Sequence, residues 1–101
     1  MFLAMNRFRI APGREEEFIE IWRKRESYLS EVPGFREFHL LQGATTEEYT
    51  LFASHTVWES EDSFEDWTRS EAFRKAHVNA SASARELYLG PPQLELFKAV
   101  I

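Results

Sequence analysis

Asn6 is the first residue whose type and position could serve chemistry. It lies in an alternating segment, on the side that it shares with Phe2, Ala4, Phe8 and Ile10. An amide buried there must find hydrogen-bond partners, or it destabilises the fold by about 1–3 kcal/mol. Two interpretations follow: a nearby backbone group satisfies Asn6, or Asn6 lines a pocket and donates to a ligand.

His77 is the second candidate. It follows Phe73 by four residues, on a predicted helix face whose small side chains, such as Ala80, would admit a large flat molecule. An imidazole in such a place is ordinarily packed or solvated, and otherwise it is a metal ligand. His39 and His55 fall on predicted strands without a supporting carboxylate pattern. A two-histidine, one-carboxylate iron site is therefore not indicated.

Trp67 is the third candidate. It forms an i, i+3 aromatic pair with Phe64, an arrangement that ordinarily belongs to a core. Trp22, on the predicted first helix, is also an ordinary core residue but could line the same cavity as Trp67. The sequence has no glycine-rich dinucleotide motif, phosphate loop or serine elbow.

Length and composition limit the classes to which this protein can belong. The 101 residues suit one domain, and 12 basic against 17 acidic residues give a net charge of −5, which argues against nucleic-acid binding. No apolar run approaches the length of a membrane span. The chain has no cysteine, so it has neither disulfides nor thiolate chemistry, and we expect a soluble cytoplasmic protein. Aromatic residues make up 15%, a heavy load for a small core.

The predicted elements form a single α+β domain that spans residues 1–101. Alternating and helical periodicities, turn residues and two serine N-cap signals predict the order β-α-β-β-α-α-β. This order is that of a ferredoxin-like antiparallel sheet with its helices on one face. The predicted strands are 2–10, 35–43, 48–58 and 93–100, and the predicted helices are 14–29, 61–68 and 71–84.

Both faces of the predicted sheet carry apolar residues. Phe38 and Leu40 share one face, whereas Phe35 and Leu41 lie on the other. A sheet covered by helices on one side should show a clearer polar face than this. We therefore expect the second face to pack against the same face of another copy, as a two-fold dimer, with strand aromatics such as Phe52 or Phe38 at the interface.

Several segments together resemble the Isd-type heme-degrading monooxygenases of the antibiotic-biosynthesis monooxygenase superfamily. The resemblance covers about residues 1–80, and the combination of Asn6, Trp67 and His77 is its most specific part. The segments that carry it are Ala4–Arg7, Pro33–Phe35, Thr56–Ser60, Phe64–Trp67 and Ser70–His77.

The resemblance implies a homodimeric β-barrel with one heme pocket per subunit, in which heme is both substrate and cofactor. By this resemblance His77 is the axial ligand of the heme iron, and Asn6 hydrogen-bonds the bound oxygen species. Trp67 presses on the porphyrin and favours a ruffled ring. Repeated oxygenation by O2 then opens the ring and releases iron. The electrons must come from an external reductase, because the chain shows no flavin or nicotinamide motif.

The same resemblance implies where the porphyrin lies. Trp22, Phe64 and Phe73 would form walls of the pocket. Heme propionates need local positive charge on a protein of net charge −5, and Arg25, three residues after Trp22, is the best candidate. Segment 78–92 would cover the pocket, but its sequence does not match the family closely enough to assign contacts.

Two other functions stay open at the level of sequence. One is a heme-free monooxygenase that acts on a quinol-like aromatic substrate, as other members of the superfamily do; it would not need His77 as an axial ligand. The other is a non-catalytic module that binds heme without turnover, through the same pocket.

Overall fold

The protein is a four-stranded antiparallel sheet with helices packed on one face. The computed structural model describes residues 1–24, 29–71, 73–74 and 87–101. The elements, in chain order, are β1 (Phe2–Ile10), α1 (Glu15–Lys24), a 3-10 helix (Leu29–Glu31), β2 (Phe35–Thr45), β3 (Thr50–Trp58), α2 (Glu61–Thr68) and β4 (Gln93–Lys98). The predicted α+β, ferredoxin-like plan is confirmed. Most of the predicted helix 71–84 lies outside the described residues.

The strands lie in the order β2-β3-β1-β4, so β3 and β1 are central and β2 and β4 form the edges. The register of β1 with β3 is continuous, from Phe2 opposite Trp58 to Ile10 opposite Thr50. Because directly opposed residues share a face, this register fixes which side chains meet the helices.

Local sequence explains where the two helices begin. Three glutamates occupy the first turn of α1, where the helix dipole favours negative charge, and Arg23 and Lys24 occupy its last turn. Ser60 caps α2, its side-chain oxygen accepting a hydrogen bond from the backbone N–H of Ser63 at 3.2 Å. The 3-10 helix begins at Leu29, which the sequence pattern places at the end of the first helix.

Gly34 lets the chain pass close to α2 before β2 begins. Its φ is +85°, and a Cβ at this position would lie 2.2 Å from Ser63 Oγ. The Gly34 carbonyl also accepts a hydrogen bond from the backbone N–H of Glu59 at 2.7 Å. Any other residue here would meet both backbone strain and a steric clash.

The predicted placement of three phenylalanines is wrong. A bulge between Phe35 and Glu37 changes the alternation of β2, so that Phe35 packs edge-on against Trp58 on the helix-covered face. Phe38 lies on that face as well, and Phe52 is 1% exposed within the core. Phe52 and Phe38 therefore cannot supply the outer face of the sheet.

The outer face, opposite the helices, carries apolar side chains among charged and polar ones. Leu41 and Phe97 are 42% and 46% exposed there, and Arg7 forms an ion pair with Glu95. By register, its apolar members are Leu3, Met5, Leu41, Leu51, Ala53, Val57 and Phe97. No helix in the described ranges has the length and apolar character needed to cross a membrane.

The core beneath the helices is divided into two clusters. The first, around α2, consists of Phe2, Ala4, Leu29, Trp58, Phe64 and Trp67. The second, around α1, consists of Phe8, Ile10, Phe18, Phe52 and Leu87. The division falls in the middle of the sheet, between Ala4 and Phe8 on β1, and the only residue of that face between them is Asn6.

Candidate functional site

A row of four residues crosses the sheet between the two core clusters. On the helix-covered face, Leu40 of β2 lies opposite Ser54 of β3, Ser54 opposite Asn6 of β1, and Asn6 opposite Leu94 of β4. We call these four residues the central row. Two short polar side chains thus separate two aromatic clusters, and this separation is the feature of the sheet that suits a ligand.

Asn6 lies on the helix-covered face, as its alternation with Phe2 and Phe8 predicts. Its Oδ1 atom is buried and accepts no hydrogen bond from the described part of the chain. A buried acceptor without a donor is destabilising, so natural proteins retain one chiefly where a ligand or water completes it. Rotation of the carboxamide about χ2 exchanges Oδ1 and Nδ2, so this position can present either an acceptor or a donor.

Trp58 Nε1 is also buried without a hydrogen-bond partner among the described residues. Its position differs from that of Asn6, because Trp58 is 0% exposed and its ring packs against Phe35, Phe64 and Trp67. Asn6 is only partly buried. Of these two groups, Asn6 is therefore the one that a ligand can reach.

The other polar side chains on this face of β3 are satisfied by the protein itself. Thr56 Oγ1 donates to the Ala4 carbonyl at 3.2 Å, and Thr50 Oγ1 donates to Glu15 Oε1 at 2.7 Å. Ser54, between them on the strand, makes no side-chain hydrogen bond within residues 1–24, 29–71, 73–74 and 87–101. Its hydroxyl is available beside the carboxamide of Asn6.

Three of the predicted pocket residues come together on the α2 side of the central row. Trp67 packs edge-on against Phe73, with ring centroids 4.7 Å apart and an interplanar angle of 87°. Phe64 lies 6.1 Å from Trp67 and packs on Phe2 of β1. The helical spacing of Phe64 and Trp67 therefore places both rings over the sheet, on the side of the central row where Ala4 lies.

The Trp22 ring contacts residues on both sides of the central row. It is tilted against Phe8 at 5.9 Å and stacks on Phe38, with centroids 5.6 Å apart and an interplanar angle of 18°. Phe8 belongs to the cluster around α1, whereas Phe38 lies opposite Thr56 and packs against the cluster around α2. Trp22 therefore joins the two clusters.

Two predicted site residues, His77 and Arg25, lie outside the described residues, as do the small residues around His77. Across the described ranges, no group of three histidine, aspartate or glutamate side chains is placed to hold a metal ion. His39 and His55 face each other on the outer face, with ring centroids 6.2 Å apart, so the sheet separates them from the side chain of Asn6.

Sequence reasoning overlooked Ser54 as a site residue. The signal was present, because Ser54 alternates with Phe52 and Thr56 on the helix-covered face. Only the pairing of β3 with β1 shows that Ser54 lies opposite Asn6. The register also places Leu94 and Leu96 of β4 on this face, 57% and 48% exposed, although they neighbour Asn6 and Ala4.

Comparison with known proteins agrees with this architecture. The family described as antibiotic biosynthesis monooxygenase matches residues 1–79. A heme oxygenase (staphylobilin-producing) of Staphylococcus haemolyticus is 29% identical over 86 residues, which cover 85% of this chain and 82% of that protein.

Two solved structures show the same fold at lower identity. A MhuD variant with two manganese protoporphyrin IX molecules bound per active site is 23% identical, with a TM-score of 0.72 over 100% of this chain and 96% of that one. SnoaB of Streptomyces nogalater, a cofactor-independent oxygenase, is 20% identical, with a TM-score of 0.67 over 99% of this chain and 93% of that one.

Proposed function

This chain belongs to the antibiotic biosynthesis monooxygenase family, and from that premise we propose that it degrades heme with O2 and external electrons, opening the porphyrin ring and releasing iron. The observation that carries the proposal is the buried Oδ1 atom of Asn6, which accepts no hydrogen bond from the described residues and lies between two aromatic clusters. The similarity to a staphylobilin-producing heme oxygenase supports heme as the ligand.

The described residues fit a porphyrin chemically. A flat aromatic ligand needs large ring surfaces and few polar groups, and Trp67, Phe64 and Phe73 offer such surfaces on one side of the central row. Trp22, whose ring contacts residues on both sides of the row, would contribute a further ring surface. In this proposal Arg25 pairs with a propionate carboxylate.

Asn6, Trp67 and His77 have distinct roles in the proposed reaction. Heme, when bound, supplies both the iron that activates dioxygen and the ring that is oxidised. His77 would hold the iron through a neutral ring nitrogen, as imidazole commonly does. Trp67 would pack against the porphyrin and limit the positions that it can adopt. Asn6 turns its Nδ2 donor toward the reacting centre, and its fixed dipole stabilises negative charge as it develops there.

The proposal includes two partners besides heme, and a location. Electrons come from a separate reductase, which reduces the site from outside the chain. A second copy of the chain packs on the outer face, whose exposed Leu41 and Phe97 support an interface there. The protein acts in the cytoplasm.

A second function is a heme-free monooxygenase acting on a quinol-like aromatic substrate. The observation that favours it is the fold shared with SnoaB, a cofactor-independent oxygenase. The aromatic clusters and Asn6 would serve a planar organic substrate equally well, but His77 would then have no iron to bind.

A hemin titration followed by turnover separates these functions from a module that only stores heme. Heme degradation requires a saturable Soret shift at about one heme per chain, then loss of the band with a reductant in air and catalase present. The expected product is an open tetrapyrrole, identified by mass spectrometry. A stable Soret band under these conditions indicates binding without turnover, and no saturable shift excludes both heme functions.

Variants test the assigned residues. His77→Ala should abolish or greatly weaken heme ligation, whereas His39→Ala, which changes an exposed imidazole on the outer face, should not. Asn6→Ala should still bind heme but lose turnover, and Gln42→Ala serves as the exposed amide control. Native-like ligation in His77→Ala, or unchanged degradation in Asn6→Ala, would contradict the assignments.

A further inference from the structure

Ser54 is the residue of the helix-covered face whose role the proposed function leaves unexplained. It lies directly opposite Asn6 in the pairing of β1 with β3. Directly opposed residues on one face have Cβ atoms about 4.5–5.5 Å apart. A serine hydroxyl and an asparagine carboxamide at that spacing can reach each other, or one small group placed between them.

The neighbouring hydroxyls on β3 show what a merely structural hydroxyl does in this sheet. Thr56 donates to the Ala4 carbonyl, and Thr50 donates to Glu15. Each therefore holds two parts of the fold together. Ser54 makes no such bond in the part of the chain that the structure describes, so its hydroxyl has no comparable structural task.

The residues around Ser54 and Asn6 are apolar. The other two members of the central row are Leu40 and Leu94, and aromatic clusters lie on both sides. In such an apolar setting, the buried Oδ1 of Asn6 needs a donor. Among the central row, Ser54 has the only side chain besides Asn6 that can donate one.

We propose that Ser54 is a positioning residue for Asn6: its hydroxyl donates to Asn6 Oδ1 when the site is occupied, and this bond aims Nδ2 of Asn6 at the ligand. With Oδ1 held by Ser54, the carboxamide cannot flip, so a donor rather than an acceptor faces the reacting centre. The inference rests on the proposed function for its ligand, but the pairing holds for either planar substrate.

A double-mutant cycle on heme turnover tests the proposal. Ser54→Ala should lower the initial rate of heme degradation about tenfold, the effect of one ordinary hydrogen bond on a rate, and change the hemin Kd less than about threefold. Ser54→Thr, which keeps the hydroxyl, should retain the rate within about twofold of the wild type. Because Ser54 acts through Asn6, the residual rate of Asn6→Ala, measured over long reaction times, should not fall further in the double variant.

Thr56→Val is the matched control, since it removes a hydroxyl from the same face of the same strand. It should leave the rate per folded, heme-loaded protein unchanged. A Ser54→Ala rate within about twofold of wild type, or losses that multiply in the double variant, would overturn the proposal.

Failure of the proposed function has a different signature. If the wild type takes up no hemin, heme degradation is excluded, and Ser54 is then judged by NMR of the protein saturated with a quinol-like aromatic, naphthalene-1,4-diol, because the bond is expected only in the occupied site. The side-chain amide signals of Asn6, identified by their loss in Asn6→Ala, should shift in Ser54→Ala and stay in place in Thr56→Val. Unshifted signals in Ser54→Ala would overturn the role of Ser54 independently of heme.

Discussion

At the scale of single residues, Asn6 lowers the stability of the fold at a position that the proposed function uses. Its buried Oδ1 lacks a hydrogen-bond partner among the described residues, which is a destabilising arrangement that an apolar residue would avoid. Three of its neighbours on the helix-covered face are apolar. Leu94 lies opposite Asn6 on β4, and Ala4 and Phe8 flank Asn6 on β1. The protein therefore keeps at this position a group that the fold alone does not need.

Asn6→Leu should raise the free energy of unfolding by about 1 kcal/mol while abolishing turnover, because it removes an unsatisfied buried amide from an apolar setting. Urea unfolding followed by circular dichroism measures the change. Thr56→Val removes a satisfied hydroxyl instead and should lower the stability. A loss of stability in Asn6→Leu as large as in Thr56→Val would show that the amide is satisfied by the fold.

At the scale of elements, α2 carries two of the aromatic rings of the candidate site. Its eight residues, Glu61–Thr68, are too few for a stable isolated helix, so caps and packing must hold it in place. The hydrogen bond from the Ser63 N–H to Ser60 Oγ supplies the N-terminal cap, and Phe64 and Trp67 supply the packing. Site and helix are thus stabilised by the same few contacts.

Ser60→Ala should lower the free energy of unfolding by about 1 kcal/mol, because it leaves the Ser63 N–H without its cap. Ser60→Asp should retain most of the stability, since a carboxylate caps as well and suits the helix dipole. Urea midpoints of the three proteins measure the difference. Equal stability of Ser60→Ala and wild type would show that solvent replaces the cap without cost.

The start of α1 is tied to the sheet through Glu15. The hydroxyl of Thr50, at the beginning of β3, donates to Glu15 Oε1 at 2.7 Å and is the main cause that lowers the pKa of Glu15. The backbone N–H groups of Glu15 and Gly13 lower this pKa further. The carboxylate form thus joins α1 to β3.

Because the pKa of Glu15 is lowered in the folded state, its ionised carboxylate stabilises the fold. This stabilisation is complete above the unfolded pKa of Glu15 and is lost as the pH falls through its folded pKa. Thr50→Val should therefore raise the pKa of Glu15 toward its ordinary value and flatten the loss of stability in acid. NMR titration of the Glu15 carboxyl measures the shift. Thr46→Val, which changes an exposed hydroxyl, is the control, and an unmoved pKa in Thr50→Val would contradict this assignment.

At the scale of the whole molecule, the two faces of the sheet have different tasks. One face carries the helices, the core clusters and the central row, whereas the other exposes an apolar surface that includes Leu41 and Phe97. A second copy packed face to face would bury that surface, and two-fold symmetry would make the contact self-complementary. The net charge of −5 opposes association only weakly at physiological salt.

The proposed dimer predicts that Leu41→Glu is monomeric, because it places a charge on the outer face of each copy. Leu89→Glu is the matched control, since Leu89 is 45% exposed against 42% for Leu41 and lies outside the sheet. Light scattering at micromolar concentration gives the masses. A monomeric wild type would exclude the dimer, and a dimeric Leu41→Glu would exclude this face as its interface.

Much of the fold follows from local patterns in the chain. The alternation of Phe2, Ala4 and Phe8 predicts both β1 and the face on which Asn6 lies, and Ser60 predicts the start of α2. These features depend on neighbouring residues alone, so the sequence determines them directly. Local patterns also identify the candidate residues Asn6 and Trp67. Asn6 is a polar residue within an apolar alternation, and Trp67 is a large aromatic residue at helical spacing from Phe64.

Only the tertiary structure decides which residues from distant segments meet. The bulge after Phe35 turns that ring toward Trp58, and no alternation rule predicts a bulge. The pairing of β1 with β3 places Ser54 opposite Asn6, although the two lie far apart in the chain. Strand register is set by the packing of whole faces rather than by any one residue. The sequence by itself therefore determines Asn6 as a polar residue in an apolar strand, and the folded sheet determines its partner.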